Sequence, residues 1–328
     1  MLRRTLLIGA AALVGAGMSV GAGAFAQENY PTRPITLVVP YAPGGATDII
    51  GRVVAEEVSN TIGQRVVVEN RPGAAGSLGA AAVSRAEPDG YTLLMGALTS
   101  HSINMSLQAK PGFDLKKNFA PITLAGNVGL ALVVNPAVEA KSVQELIALA
   151  KAQPGKLTYA SAGAGSPQHL AGEMFNSMAG TKLVHAPYRG SGPAMTDMIG
   201  GHVQVMFDTI PSILPHVQGG KLRALGVTTQ EPSEFMPGVP TVASQGLSGF
   251  EVGSWFGILA PAGMPEPILQ KLNHEVVKAL KAPKVIDAMR VQGVTPKPGT
   301  PEDASRLIDS EMQKWSELIK TTGVKAAE

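Results

Sequence analysis

The chain contains no cysteine. That excludes disulfides, thiol chemistry and a lipid-modified N-terminal cysteine. Charge is scarce as well, at 16% of 328 residues, with a formal net charge of +2. Without Arg3 and Arg4 the other 25 basic residues face 25 acidic ones, so no basic surplus points to nucleic acid or an anionic membrane surface. Catalytic signatures are missing too. There is no G-x-x-x-x-G-K-S/T phosphate loop, no H-E-x-x-H and no G-x-S-x-G elbow. A dinucleotide fingerprint starts at Gly163-Ala164-Gly165 but meets Gln168 where its third glycine belongs. The histidines at 101, 169, 185, 202, 216 and 274 form no i, i+3 or i, i+4 pair, which argues against a helical metal site. No catalytic residue, metal or cofactor is called for. Because triads assemble in space, a secreted hydrolase or isomerase built on Asp48, His169 or Asp208 is the competing reading.

What is present starts with an export signal. Arg3-Arg4 form a positive n-region, residues 6–20 are apolar, and Ala24-Phe25-Ala26 gives a small-x-small cleavage pattern. Residues 1–26 therefore read as a signal peptide, with the mature chain starting at Gln27 in the periplasm. An uncleaved anchor is the alternative, disfavoured by the Gly/Ala-rich run and its cleavage site. The twin arginines leave the export route open. No later segment is apolar enough to span a bilayer.

The mature sequence alternates strand-like and helix-like segments, the signature of α/β layers around parallel sheets. Strands are expected at 35–40, 65–69 and 91–95. A second series has strands at 130–134, 157–160, 183–186, 203–207 and 222–227. Its helices cover 142–152, a span running through Met178, 193–199 and a short piece near Ile213. Ser142 with Glu145 three residues on makes a capping box. The tail returns with a strand at 250–259 and helices carrying Ile268, Leu272 and Val276, then Ala304, Ile308, Met312 and Trp315 on one side. Residues 27–127 with 250–328 form one expected α/β domain and 128–249 the other, with a cleft between them and a hinge of crossing strands.

One device occurs twice. Tyr41-Ala42-Pro43-Gly44-Gly45-Ala46-Thr47-Asp48 and Ser161-Ala162-Gly163-Ala164-Gly165-Ser166-Pro167 each join a strand to a helix without Lys or Arg. A helix start offers unpaired N–H groups and about half a unit of positive charge, suited to a carboxylate. Such turns are also common in α/β proteins that bind nothing, and spacing alone does not decide. Thr47 and Ser166 read first as helix caps. Asp48 sits in a first helical turn, where an acidic group would have to orient water, share a proton, or meet a ligand amine or hydroxyl. His169 reads equally as structural or functional, and Arg189 as a counter-charge or a solvated loop residue. Asp208 follows an expected strand at its carboxyl end, where open sheets place ligands.

Ordered motifs then point to a family. They include Pro31-Thr32-Arg33-Pro34-Ile35, Pro43-Gly44-Gly45-Ala46-Thr47-Asp48, Glu69-Asn70-Arg71-Pro72-Gly73-Ala74-Ala75-Gly76 and Glu87-Pro88-Asp89-Gly90-Tyr91. Further on stand His101-Ser102-Ile103-Asn104, Pro187-Tyr188-Arg189-Gly190, Gly201-His202-Val203-Gln204-Val205-Met206-Phe207-Asp208 and Ala260-Pro261-Ala262-Gly263. Over the whole mature chain the sequence resembles the solute-binding receptors of tripartite tricarboxylate transporters, the Bug/TctC type. The resemblance implies a type II periplasmic-binding-protein-like α/β fold, two doubly wound domains joined by two crossing segments and closing on one ligand. It implies a di- or tricarboxylate, aromatic acid or acidic amino acid as ligand, carried by a monomer to integral membrane subunits. It implies that both glycine-rich loops hold a ligand carboxylate, partly through water. It adds Thr99, Ser100 and His101 as a third cleft segment and Asp208 near the ligand's far end, and it leaves Asn70 to Gly73 as a structural turn. Ser102 and Met105 depart from residues common in the family, Ala and Pro.

Overall fold

Runs of β-branched and leucine residues build the first layer. Ile35–Val39 (β1) is almost wholly buried, as a parallel strand covered on both faces must be. It pairs in parallel with Val66–Asn70 (β2) and Thr92–Ala97 (β3). Helices Ala46–Ile62 (α1) and Ser77–Val83 (α2) carry the crossovers. A helix absent from the sequence expectations, Leu98–Leu107 (α3), follows β3 directly. The computed structural model describes residues 30–322, so the expected signal peptide and its cleavage point lie outside the described residues.

The second layer set follows the same rule. Thr158–Ser161 (β5) pairs in parallel with Val184–Pro187 (β6) and Val205–Thr209 (β7). Around these strands lie Val143–Ala152 (α4), Pro167–Ala179 (α5), Ser191–Ile199 (α6) and Ile210–Gln218 (α7). Arg223–Val227 (β8) completes the set. At α4 the capping box forms as read: Ser142 Oγ accepts from the Glu145 N–H, while Glu145 reaches back to the Lys141 N–H.

The sheets are not purely parallel as expected. Phe119–Val134 (β4) is one 16-residue strand. Its first part runs antiparallel to Gly253–Pro261 (β9), from Phe119↔Pro261 to Gly129↔Gly253. Its second part, Leu130 to Val134, runs antiparallel to β7 and β8. The order is β2-β1-β3-β9-β4-β7-β5-β6, with β8 and Thr295–Pro296 (β10) also on β4. The chain crosses between the two halves on β4 and returns on β9. Sequence pattern gave only 130–134 because Pro121, Gly126 and register shifts beside them break the period.

Helices Glu266–Lys281 (α8), Pro283–Val291 (α9) and Pro301–Thr322 (α10) close the chain. The last of these serves both halves. Ala304 and Ile308 belong to the core around β1 and β3, with Leu307 and Met312 packed on it. Trp315 belongs to the core around β4, β5 and β7, with Leu318 and Ile319 packed on it. Between them Glu311 is buried, its Oε2 accepting from Thr99 Oγ1 at 2.6 Å and Trp315 Nε1 at 3.0 Å. Thr99 Oγ1 in turn accepts the Trp255 N–H at 3.0 Å. This knot ties α3, β9 and α10 where the halves meet. Among the described residues no helix is long and apolar enough to cross a membrane.

Trp315 is 1% exposed, so Trp315→Ala both opens a cavity and removes one of the two donors to Glu311. The expected loss is about 3–5 kcal/mol in urea unfolding at constant slope. A loss under about 1 kcal/mol would place the helix outside the core of either half.

Candidate functional site

Helices that begin at the carboxyl ends of strands aim their N-termini at one place. A small cavity is lined by Tyr41, Gly45, Ala46, Thr47, Ala97, Ser100, Ala162, Pro167, Gln168, Ser191, Thr209, Ser254 and Phe256. Five helix starts meet there. Gly45 is the N-cap of α1, Ala97 of α3 and Thr209 of α7. Pro167 and Gln168 open α5, and Ser191 opens α6. Neither Lys nor Arg is in the lining.

The first loop is shaped from behind. Gly44 takes φ 91°, which a side chain would oppose, and its N–H donates to Asp48 Oδ2 at 3.1 Å. Asp48 Oδ1 accepts from Asn70 Nδ2 at 2.9 Å and pairs with Arg52 at 2.8 Å. Burial pushes this carboxyl up, but Arg52, Asn70 and the Gly44 N–H together hold it below its ordinary value. Asp48 therefore braces the loop and is absent from the cavity lining. Asn70 has the same duty, also donating to the Tyr41 carbonyl at 2.9 Å.

The third segment divides. Tyr41 Oη donates to the Ala75 carbonyl at 2.8 Å and lies 2.6 Å from Ser100 Oγ, and both residues line the cavity. Thr99 does not, since its hydroxyl is spent on Glu311 and Trp255. His101 is fully buried, stacked edge-on to Phe113 at 5.5 Å, and burial lowers its pKa to about 3.

The second loop is held by two stacked imidazoles. His169 and His185 lie 4.2 Å apart, and Tyr159 stacks on His185 at 5.0 Å. The Gly165 N–H donates to His169 Nδ1 at 3.2 Å, so that ring is neutral with its proton on Nε2. Ser161 Oγ accepts the Gly163 N–H at 3.1 Å and is hydrogen-bonded to His185 Nε2 at 2.7 Å. Burial lowers His185 to about 3, and the His169 ring stacked on it further disfavours a proton there. Burial also lowers His169, against an opposing pull from Glu173. Ser166 caps α5 by accepting the His169 N–H. Of this loop Ala162 and Pro167 line the cavity, whereas Ser161, Gly163, Ala164, Gly165, Ser166 and His169 shape it from outside the lining.

Asp208 lies within β7 and not after it. It is fully buried, and its Oδ1 accepts from Thr209 N at 2.7 Å, Gln168 Nε2 at 2.9 Å and Ser191 Oγ at 2.9 Å. Burial raises it to about 6 despite those donors. It thus orients three lining residues without lining the cavity itself. Arg189 has an exposed side chain, matching the solvated-loop alternative, and its main-chain carbonyl accepts the Ala42 N–H at 3.2 Å.

Sequence reasoning did not place Ala97, Gln168, Ser191, Thr209, Ser254 and Phe256 beside the cavity. Ser191 was hidden because Pro193 read as the first helical residue, two positions late. Ser254 and Phe256 share one face of β9, a period-2 signal visible only once that strand is placed beside the cleft.

Comparisons with known proteins identify the family and the fold. The family described as "Tripartite tricarboxylate transporter family receptor" matches residues 50–324. BugT of Bordetella pertussis is 37% identical over 91% of this chain and 92% of its own. The solved periplasmic binding protein BugD is 35% identical, with a TM-score of 0.88 over 90% of this chain and 99% of that one. A protein of R. palustris solved with adipate is 34% identical, with a TM-score of 0.88 over 90% and 99%. MatC from Rhodopseudomonas palustris, with bound malate, is 33% identical, with a TM-score of 0.85 over 88% and 100%.

The buried groups set a pH dependence whose sign follows from linkage. His101 and His185 take protons near pH 3 when folded but near 6.5 when unfolded. Their stabilisation is full above about pH 6.5 and declines as pH falls towards 3. Asp208 acts oppositely, taking its proton near 6 when folded and near 3.8 when unfolded, which offsets one histidine between those values. Four lowered histidines, His101, His169, His185 and His216, outweigh one raised carboxyl, so unfolding free energy should drop from pH 7.5 to pH 5. Equal or greater stability at pH 5 in urea titrations would contradict these assignments.

Proposed function

Because this chain belongs to the tripartite tricarboxylate transporter receptor family, we propose that it captures a small organic carboxylate in the described cavity and delivers it to integral membrane subunits. The family is one of solute receptors, not of enzymes, and structural neighbours hold adipate and malate. In this reading residues 1–26 are removed on export to the periplasm. Residues 27–127 with 250–328 form one lobe, 128–249 form the other, and the monomer shuts on its guest.

The observation that carries the reading is the meeting of five helix N-termini around a cavity lined by neither Lys nor Arg. Stripping a carboxylate of water costs several kcal/mol. One helix start returns only about 0.3–2 kcal/mol, too little alone. Five, with N–H and hydroxyl donors at about 1.5–3 kcal/mol for each bond to a charged acceptor, are enough. The carboxylate end sits at Gly45 to Thr47 and Ser191, while Phe256 and Pro167 offer apolar surface to the carbon skeleton. Catalysis gains no support from Asp48, His169 and Asp208, because each is committed to holding protein groups in place. Transport needs only that the shut form be favoured by a few kcal/mol when occupied.

Mass spectrometry of freshly purified protein, then calorimetry of the stripped protein with mono-, di- and tricarboxylates and amino acids, is the test. One unchanged carboxylate bound per chain is expected. A folded, stripped sample that binds no member of the panel, or one that converts its guest, would overturn the proposal.

A further inference from the structure

The two halves touch through surfaces from which side chains are missing. The Ala42 N–H reaches across to the Arg189 carbonyl at 3.2 Å. Beside that bond, a Cβ on Gly45 would stand 3.4 Å from Cβ of Ser191, and one on Gly44 would stand 3.7 Å from Cα of Gly192. At Gly192 there is no such room. A Cβ there would lie 2.2 Å from the carbonyl oxygen of Pro43, well inside van der Waals contact. That oxygen cannot swing away like the tip of a flexible side chain. The ring of Pro43 fixes its φ, and Gly44 follows at φ 91° with its N–H tied to Asp48.

Nothing within its own half asks for glycine at 192. The residue is the second of α6 and is not among the positions with positive φ. Alanine is the better helix former at such a place. Its only short contacts are with Pro43, which belongs to the other half. The requirement for glycine arises solely where the halves meet.

We propose that Gly192 is the positioning residue for closure: its lack of a side chain lets the Pro43–Gly45 turn seat on the start of α6 and shut the cavity. This rests on the reading above that the halves close over a guest. It separates two properties that core substitutions change together. Gly192→Ala leaves each half folded as well as before or better, yet holds the halves apart.

The absence of cysteine provides a readout that needs no ligand. Gly45→Cys with Ser191→Cys places two thiols with a Cβ separation of 3.4 Å, near the roughly 3.5–4.5 Å of natural disulfides. Mild oxidation therefore traps the shut form whenever it is visited. Adding Gly192→Ala is expected to slow trapping about tenfold or more, the penalty of overpacking a tight contact. The thermal midpoint of the ligand-free Gly192→Ala chain should not fall. Alkylation of a lone Ser191→Cys by iodoacetamide should be no slower with Gly192→Ala than without it, so that slower cross-linking does not reflect a less reactive thiol. An unchanged trapping rate, or a lowered midpoint, overturns the proposal. Failure of the pair to cross-link with Gly192 in place would instead sink the closure reading, and the proposal with it.

Discussion

A carboxylate that enters a closed cavity loses its water, and what replaces that water governs the rest of this structure. In the proposed reading the replacement is a ring of helix starts and hydroxyl groups, without a lining cation. Such donors are fixed by the backbone and need no reorganisation when the guest arrives. They also explain the architecture. Strands ending at the cleft and helices beginning there, on both halves, are what bring five N-termini to one point. Neutral donors suit a carrier, which must seat an anion and later release it. A buried ion pair would be harder to part, since breaking one costs about 3–5 kcal/mol.

Ionisable groups have not vanished from the site; they have moved behind it. Asp48 holds the first loop, His169 and His185 hold the second, and Asp208 orients Gln168, Ser191 and Thr209. Each makes hydrogen bonds to protein groups that shape the cavity, Asp208 through Oδ1 alone. Buried, hydrogen-bonded supports of this kind fix a loop more firmly than packing alone, at the expense of sensitivity to acid. Two carboxylates beneath an anion site are tolerable for the same reason. Asp48 is neutralised by Arg52, and the proton affinity of Asp208 is raised by its burial.

Features set by neighbouring residues could be read from sequence. β1, the turn at Pro43 to Gly45, the Ser142–Glu145 capping box and the Ser166 cap all depend on contacts a few residues apart. Features set by distant pairing could not. The first part of β4 exists as a strand because β9 lies beside it, more than a hundred residues later in the chain, and its own composition resists the assignment. Thr99 and Ser100 are adjacent, yet one faces the hinge knot and the other the cavity, a choice made by the turn of α3 and by Glu311. The glycines were legible as loop formers. That Gly192 faces a backbone carbonyl of the opposite half was not, because the constraint lies between elements far apart in sequence.

The central claim is that main-chain dipoles seat the guest's negative end. Amide proton and nitrogen shifts, followed by nuclear magnetic resonance as the bound member of the carboxylate panel is titrated in, address it residue by residue. The largest downfield amide proton shifts should fall on Ala46, Thr47, Gln168 and Ser191, with the guanidinium signals of Arg52 and Arg189 unmoved. Shifts centred on those arginines, with the four amides unchanged, would contradict the account.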